Sequence, residues 1–182
     1  MATKKNIILH HSATTDNPVA KDYETIRKNH MAQGWRDIGY NWVLEKVNGI
    51  WQIIEGRSEA LDGAHCIGRN TDSIGVCVVG NYDIAPPDTT VYGIVAKVCQ
   101  DIMTRHPIEH IGGHKEFDAT ACPGRYFEIG RVKNLVVAPP ALHWADKAIS
   151  KAMAKGIADG TRPDGPATRA EVWTMFDRLG LL

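Results

Sequence analysis

His114 and Cys122 stand eight positions apart in His-Lys-Glu-Phe-Asp-Ala-Thr-Ala-Cys, and no other stretch constrains the chain as much. They offer an imidazole and a thiolate, and Zn2+ prefers tetrahedral nitrogen and sulfur ligands. Pro123-Gly124 follows at once and stops the chain from continuing in a regular element. Two ligands do not make a site, so a third must come from elsewhere. The best donor lies at the other end of the domain, where the apolar run Ile7-Ile8-Leu9 leads straight into His10 and His11. Alternation along a strand sends those two histidines to opposite faces, so only one can face the metal. Three protein ligands leave one tetrahedral position for water, which is the pattern of a catalytic zinc site. A structural site closes all four positions.

The elements around these ligands can be read in order. Asn6 to His10 is a short apolar run and predicts a buried strand. Asp22 can cap a helix running to about Gln33, with Tyr23, Ile26 and His30 on one face. Tyr40 to Lys46 and Ile50 to Glu55 flank Val47-Asn48-Gly49, and Asn-Gly is a strong hairpin signal. Arg57 to Asn70 reads as a loop over the site. Ser73 to Gly80 is an almost unbroken apolar run, as in a central strand. A helix is expected from Asp88 to near His106, carrying Val91, Ile94, Val95, Val98 and Ile102 at helical spacing. Ile108 to Gly112 is a last short strand that delivers His114, and Arg125 to Leu135 a last helix. The fold class is α/β: a mixed central sheet flanked by helices, followed by a small C-terminal helix–loop–helix.

That division places one domain at residues 1–135, a linker at 136–140 around Pro139-Pro140, and a separate module at 141–182. The module is too small to bury a core alone. Basic and acidic residues balance at 21 each, so nothing marks a non-specific nucleic-acid binder. The first residues carry charge without a long apolar stretch, so the expectation is a chain made in the cytoplasm without a signal peptide. No apolar run is long enough for membrane insertion. Cys77 and Cys99 sit in apolar runs and read as small core residues.

Four stretches stand in one order: Leu9-His10-His11-Ser12-Ala13-Thr14, Gly34-Trp35-Arg36-Asp37-Ile38-Gly39-Tyr40-Asn41, Ser73 to Gly80, and Gly113-His114 through Ala121-Cys122-Pro123-Gly124. Together they resemble the zinc N-acetylmuramoyl-L-alanine amidases, a group that includes phage lysozyme-type amidases and peptidoglycan recognition proteins. The resemblance spans roughly residues 5 to 135. It implies Zn2+ held by His10, His114 and Cys122, with His10 chosen over His11. Asp118 is the rival third ligand, since a carboxylate replaces the cysteine in some related amidases. A loop residue capping its own turn is the preferred reading of Asp118.

The resemblance also implies roles around the metal. Tyr40 matches the residue that stabilises the oxyanion. Thr120 stands where phage-type members carry lysine and recognition-type amidases often carry threonine, and it offers a hydrogen bond without a charge. Cys77 replaces a glutamate that another branch uses as a base. His65 is similar to a substrate-contact histidine, with Asn70 beside it. The implied activity is that of an endolysin-like peptidoglycan hydrolase, cutting between N-acetylmuramic acid and L-alanine on the cell wall after release from the cell. The alternative is a catalytically weak peptidoglycan-recognition module; a third possibility is a zinc amidohydrolase acting on another acylated amine. In the tail, His143 to Ile149, Lys155 to Gly160 and Ala167-Thr168-Arg169-Ala170-Glu171 resemble one S-layer-homology-type repeat. That implies attachment to a secondary wall polymer, with Arg169 as the gripping residue; the alternative is a C-terminal hairpin that packs on the amidase domain, with Arg169 paired to a nearby acid.

Overall fold

A computed structural model describes residues 3–17, 19 and 21–137. The module expected at 141–182, Arg169 within it, and positions 138–140 of the expected linker lie outside the described residues.

Five strands form one mixed sheet: β1 (Asn6–His11), β2 (Trp42–Val47), β3 (Ile50–Glu55), β4 (Ser73–Val78) and β5 (His110–Gly113). Their order is β3-β2-β4-β1-β5. Only the β2–β3 pair is antiparallel; β2–β4, β4–β1 and β1–β5 run parallel. Both central strands, β1 and β4, are buried along their whole length, which is why Ile7–Leu9 and Ile74–Val78 read as continuous runs without polar alternation. The α-helices among the described residues are α1 (Asp22–Ala32), α2 (Val91–Arg105) and α3 (Ile129–Val137).

The two sheet faces carry different cores. Ile7 and Leu9 of β1 join Ile74, Val76 and Val78 of β4 in a large cluster with Val95, Cys99 and Ile102 of α2 and Val132 of α3. On the opposite face a smaller cluster unites Ile26 of α1 with Val43 and Cys77, and Tyr23 and Tyr40 pack against it. His10 pairs with Cys77 in the β1–β4 register, so alternation turns His10 toward this second face.

Most boundaries fall close to expectation, and each departure has a physical cause. Asn48 and Gly49 both take positive φ, at 52° and 79°, and Val47 pairs with Ile50 across them. This is the two-residue hairpin turn that matches strand twist, so β2 runs on through Val47. β2 starts at Trp42 and not at Tyr40, because the carbonyls of Tyr40 and Asn41 accept from Arg57 and Gly56 outside the ladder. Asp22 does not cap α1. Its carboxylate accepts from the Asn17 amide, and the Tyr23 amide donates instead to Glu45 Oε2 on β2 at 2.9 Å. A strand carboxylate thus meets the positive end of the helix.

α2 starts at Val91, since Asp88 takes the Thr90 amide and hydroxyl in a turn of its own. Residues 125–128 are not helical. Arg125 donates to Asp83 Oδ1, Tyr126 to the Tyr82 carbonyl and Glu128 to Tyr92 Oη, and these bonds tie the segment to the loop after β4 and to α2. α3 therefore begins at Ile129 and continues through Val136 and Val137, two positions expected in the linker, because Val136 packs on the main core. No helix among the described residues is long and apolar enough to cross a membrane.

Candidate metal centre

The parallel pairing of β1 with β5 builds the centre. Leu9 is opposite Gly113, so the next residues, His10 near the end of β1 and His114 just past β5, stand side by side at the carboxyl end of the sheet. Their ring centroids are 4.6 Å apart. Ligands of open α/β sheets collect at this end of the strands. A short 3-10 turn, His114–Glu116, then reverses the chain. The Glu116 carboxylate holds it by accepting from the Gly113 amide at 2.8 Å. Cys122 returns to the same point, where its carbonyl accepts from the Lys115 amide and its Sγ lies 3.6 Å from His10 Nδ1.

One donor atom from each of His10, His114 and Cys122 lies within 4.8 Å of the others. His10 is buried and the other two are partly open. Burial holds the His10 imidazole well below its ordinary value, with the neighbouring His65, His114 and His11 adding to the effect. Burial also lowers His114, against the pull of Asp118. Both rings are therefore neutral at pH 7 and able to ligate. Burial pushes the Cys122 thiol up to about 11, so an incoming cation must displace its proton. His114 Nε2 is buried with no hydrogen-bond partner among the described residues, and the nearest Asp118 oxygen is 3.8 Å away, beyond hydrogen-bond range. Two neutral imidazoles, one thiol and an unpartnered buried nitrogen fit a borderline-soft ion such as zinc.

The rival ligands are placed elsewhere. His11 points to the other face, where its Nδ1 accepts from the Tyr82 amide at 3.1 Å. Asp118 accepts from the Ala119 amide at 2.7 Å and caps its own turn.

Tyr40 stands against the centre, its ring 5.2 Å from His10 and 5.4 Å from His30. Burial, reinforced by Cys77 and Cys122 close by, raises its phenol well above the ordinary value, so it remains a hydrogen-bond donor at any working pH. Cys77 is wholly buried beneath it and belongs to the core. Thr120 is exposed, and its Oγ1 accepts from the Cys122 amide at 3.2 Å, which leaves its own proton available.

His65 and Asn70, expected at the substrate, both bond within the protein. His65 is only 8% exposed, with its Nδ1 3.1 Å from His10 Nε2. Burial, then His114, Lys4 and Arg57, depress it to about 3. Asn70 spends its Oδ1 on the amides of His65 and Cys66, at 2.8 and 3.0 Å, and so shapes the loop. Two residues here escaped sequence reading. Asn41 is buried and bonds Gly75, Arg57 and Ser58; Ser73 is buried beside His65. Nothing in their type or spacing signals either role, since both depend on partners distant in sequence.

Fold and site define an α/β domain that gathers a His–His–Cys donor set at the carboxyl ends of its parallel strands. The chain belongs to the N-acetylmuramoyl-L-alanine amidase family, whose sequence pattern matches residues 2–125. A peptidoglycan-recognition protein of Drosophila simulans is 32% identical over 133 residues, covering 69% of this chain and 71% of that protein. The human N-acetylmuramoyl-L-alanine amidase is 33% identical over 110 residues, which span 58% of this chain but 19% of that protein. Among solved structures, bumblebee PGRP-SA superimposes with a TM-score of 0.66 at 26% identity, covering 77% of this chain and 86% of that one. The N-acetylmuramoyl-L-alanine amidase LysC from Clostridium intestinale gives 0.63 at 24% identity, covering 72% and 84%, a likeness of fold alone.

Proposed function

We propose that this chain is a zinc-dependent amidase that hydrolyses the bond between N-acetylmuramic acid and L-alanine in peptidoglycan. The observation that carries the proposal is the convergence of His10, His114 and Cys122, three donors of zinc type, with Tyr40 beside them. Bound zinc supplies Lewis-acid chemistry, activating water and polarising an amide carbonyl. The residues of the chain do the rest. His10, His114 and Cys122 fix the position of the ion. The Tyr40 hydroxyl donates to the carbonyl oxygen as negative charge develops on it, a contribution that grows in the low dielectric of a buried site. Thr120 adds a second, neutral donor that water can partly replace.

The test is a digest of purified peptidoglycan. Free L-alanine amino termini should appear without new reducing sugar ends, and chelation should stop the reaction. New reducing ends, or release that survives chelation, refutes the amidase reading. Relatives named as peptidoglycan-recognition proteins favour a second reading, a module that binds peptidoglycan and scarcely cuts it. Binding of intact peptidoglycan by a zinc-loaded chain that releases no amino termini would select it.

The endolysin-like role, with action on the wall after release, is part of the same proposal. Residues 141–182 are assigned to attachment on a secondary wall polymer by their sequence resemblance, with Arg169 in contact. A chain ending at Pro140 should keep its activity on soluble muropeptides and lose binding to whole walls through loss of the second contact. Equal lysis of walls by both chains rejects that assignment.

A further inference from the structure

His65 lies on the loop between β3 and β4, yet its ring is turned inward behind His10. Its Nε2 is 3.4 Å from Ser73 Oγ. Ser73 is wholly buried at the start of β4, and its hydroxyl donates to the Arg69 carbonyl at 2.5 Å. A carbonyl only accepts, so the hydroxyl proton is committed there and Ser73 presents a lone pair to His65. His65 must then carry its proton on Nε2, which leaves Nδ1 bare, since a neutral imidazole has one N–H and one acceptor nitrogen. The 3.1 Å contact between His65 Nδ1 and His10 Nε2 is filled by a proton on His10. His10 Nδ1 is thereby left bare, and this is the nitrogen that stands 3.6 Å from Cys122 Sγ.

We propose that His65 and Ser73 fix the tautomer of His10, so that its Nδ1 lone pair faces the metal position. In this assignment His65 is a positioning residue for a metal ligand. The inference rests on the zinc reading above and deepens it.

The surroundings of His65 are built to hold the ring in this one place. A Cβ on Gly63 would fall 2.4 Å from His65 Cδ2, and one on Gly75 would fall 2.6 Å from both Cδ2 and Cγ. The ring occupies the space that two missing side chains leave. Asn70 fixes the backbone of His65 from the loop side. Asn41 fixes Gly75 from the sheet side, accepting from its amide at 2.9 Å. The polarity runs one way through the whole chain of groups, from the Arg69 carbonyl to His10 Nδ1. Partners of this kind behind a ligating histidine are worth roughly 10–100-fold in metal affinity.

The test has two arms. Long-range proton–nitrogen spectra of the zinc-free, 15N-labelled protein at neutral pH should show His10 and His65 both protonated on Nε2. A His10 protonated on Nδ1 overturns the proposal. In chelator competition, His65→Ala should weaken zinc binding by roughly 10–100-fold. His65→Asn, whose amide oxygen can take the place of Nδ1 as acceptor, should recover most of that loss. Equal affinity in all three proteins, or equal loss in both variants, overturns it as well. Should His65→Ala fail to fold, Ser73→Ala removes one hydroxyl only. It should let His65 populate its other tautomer, and unmoved tautomers in that variant count against the proposal. A wild-type chain that takes up no zinc refutes the zinc reading, whereas the tautomers of the zinc-free protein still decide this inference.

Discussion

Asn41→Ala is expected to destabilise the domain by about 2–4 kcal/mol, although it removes no apolar contact of consequence. Asn41 is completely buried just before β2. Its Oδ1 accepts from the Gly75 amide at 2.9 Å, and its Nδ2 donates to the carbonyls of Arg57 and Ser58 at 3.0 and 3.3 Å. Alanine leaves the Gly75 amide and the Arg57 carbonyl without a partner, while the Ser58 carbonyl still accepts from the Leu61 amide at 3.0 Å. The Gly75 amide lies within a fully buried strand, where an unpaired donor costs about 1–3 kcal/mol. The two carbonyls are nearer the surface and recover part of their loss from water, so they add about 1 kcal/mol together. Urea denaturation of the zinc-free chain, followed by circular dichroism, reads the change. A loss of about 3 kcal/mol lowers Tm by roughly 6–12 °C in a chain of this size. Gly75 walls the His65 slot, and Arg57-Ser58 opens the loop that carries His65, so zinc affinity should fall with stability. A loss below about 1 kcal/mol, with an unchanged urea dependence, would show that water or backbone relaxation satisfies these groups and would refute the expected cost.

Two further expectations follow from other parts of the molecule. Tyr40→Phe keeps the ring beside His10 and removes only the donor, so kcat should fall roughly ten- to a thousandfold with zinc content unchanged; unaltered turnover confines Tyr40 to packing. Glu59 accepts from Trp42 Nε1, from Arg105 and from His106, clamping the site loop to β2 and to the end of α2. Burial raises its carboxyl, but these hydrogen bonds outweigh it and hold the group below its ordinary value of 4.5. A depressed carboxyl contributes stability above 4.5 that is lost as pH falls through the folded value, so Glu59→Gln should flatten the acid side of the stability profile. A wild-type-minus-variant difference that is the same at acid and neutral pH refutes the clamp.

The parts of the fold that were legible in the sequence are those governed by local rules. β1 and β4 are buried on both faces, and a strand so buried has no reason to alternate; hence the unbroken runs at Ile7–Leu9 and Ile74–Val78. The hairpin was legible because two consecutive positive φ values demand Asn-Gly chemistry. The start of α1 was not, because its first free amide is satisfied by Glu45 from a strand 22 residues further on. Propensity favours Asp22 as a cap, but nothing local reveals that another element already supplies a carboxylate. The same applies at residues 125–128, where apolar spacing suggests helix and hydrogen bonds to Tyr82, Asp83 and Tyr92 impose a turn.

The site divides along the same line. That only one of His10 and His11 can face a metal follows from strand alternation; which of them does so depends on which sheet face Cys122 reaches, and Cys122 is 112 positions from His10. Parallel pairing is what makes that distance short, since a register placing Leu9 opposite Gly113 also sets His10 beside His114. His65 shows the limit most sharply. A histidine in a glycine-rich loop has the residue type of a substrate contact, and only the bonds to His10, 55 positions away, and to Ser73 turn it inward. Its neighbours carry a faint signal in retrospect: Gly63 and Gly75 leave room where a buried strand and its loop would otherwise bear side chains. A missing side chain announces that something approaches closely, but not what it is. The identity of the approaching group emerges only when the polarity of each hydrogen bond is followed from the Arg69 carbonyl inward to the bare nitrogen of His10.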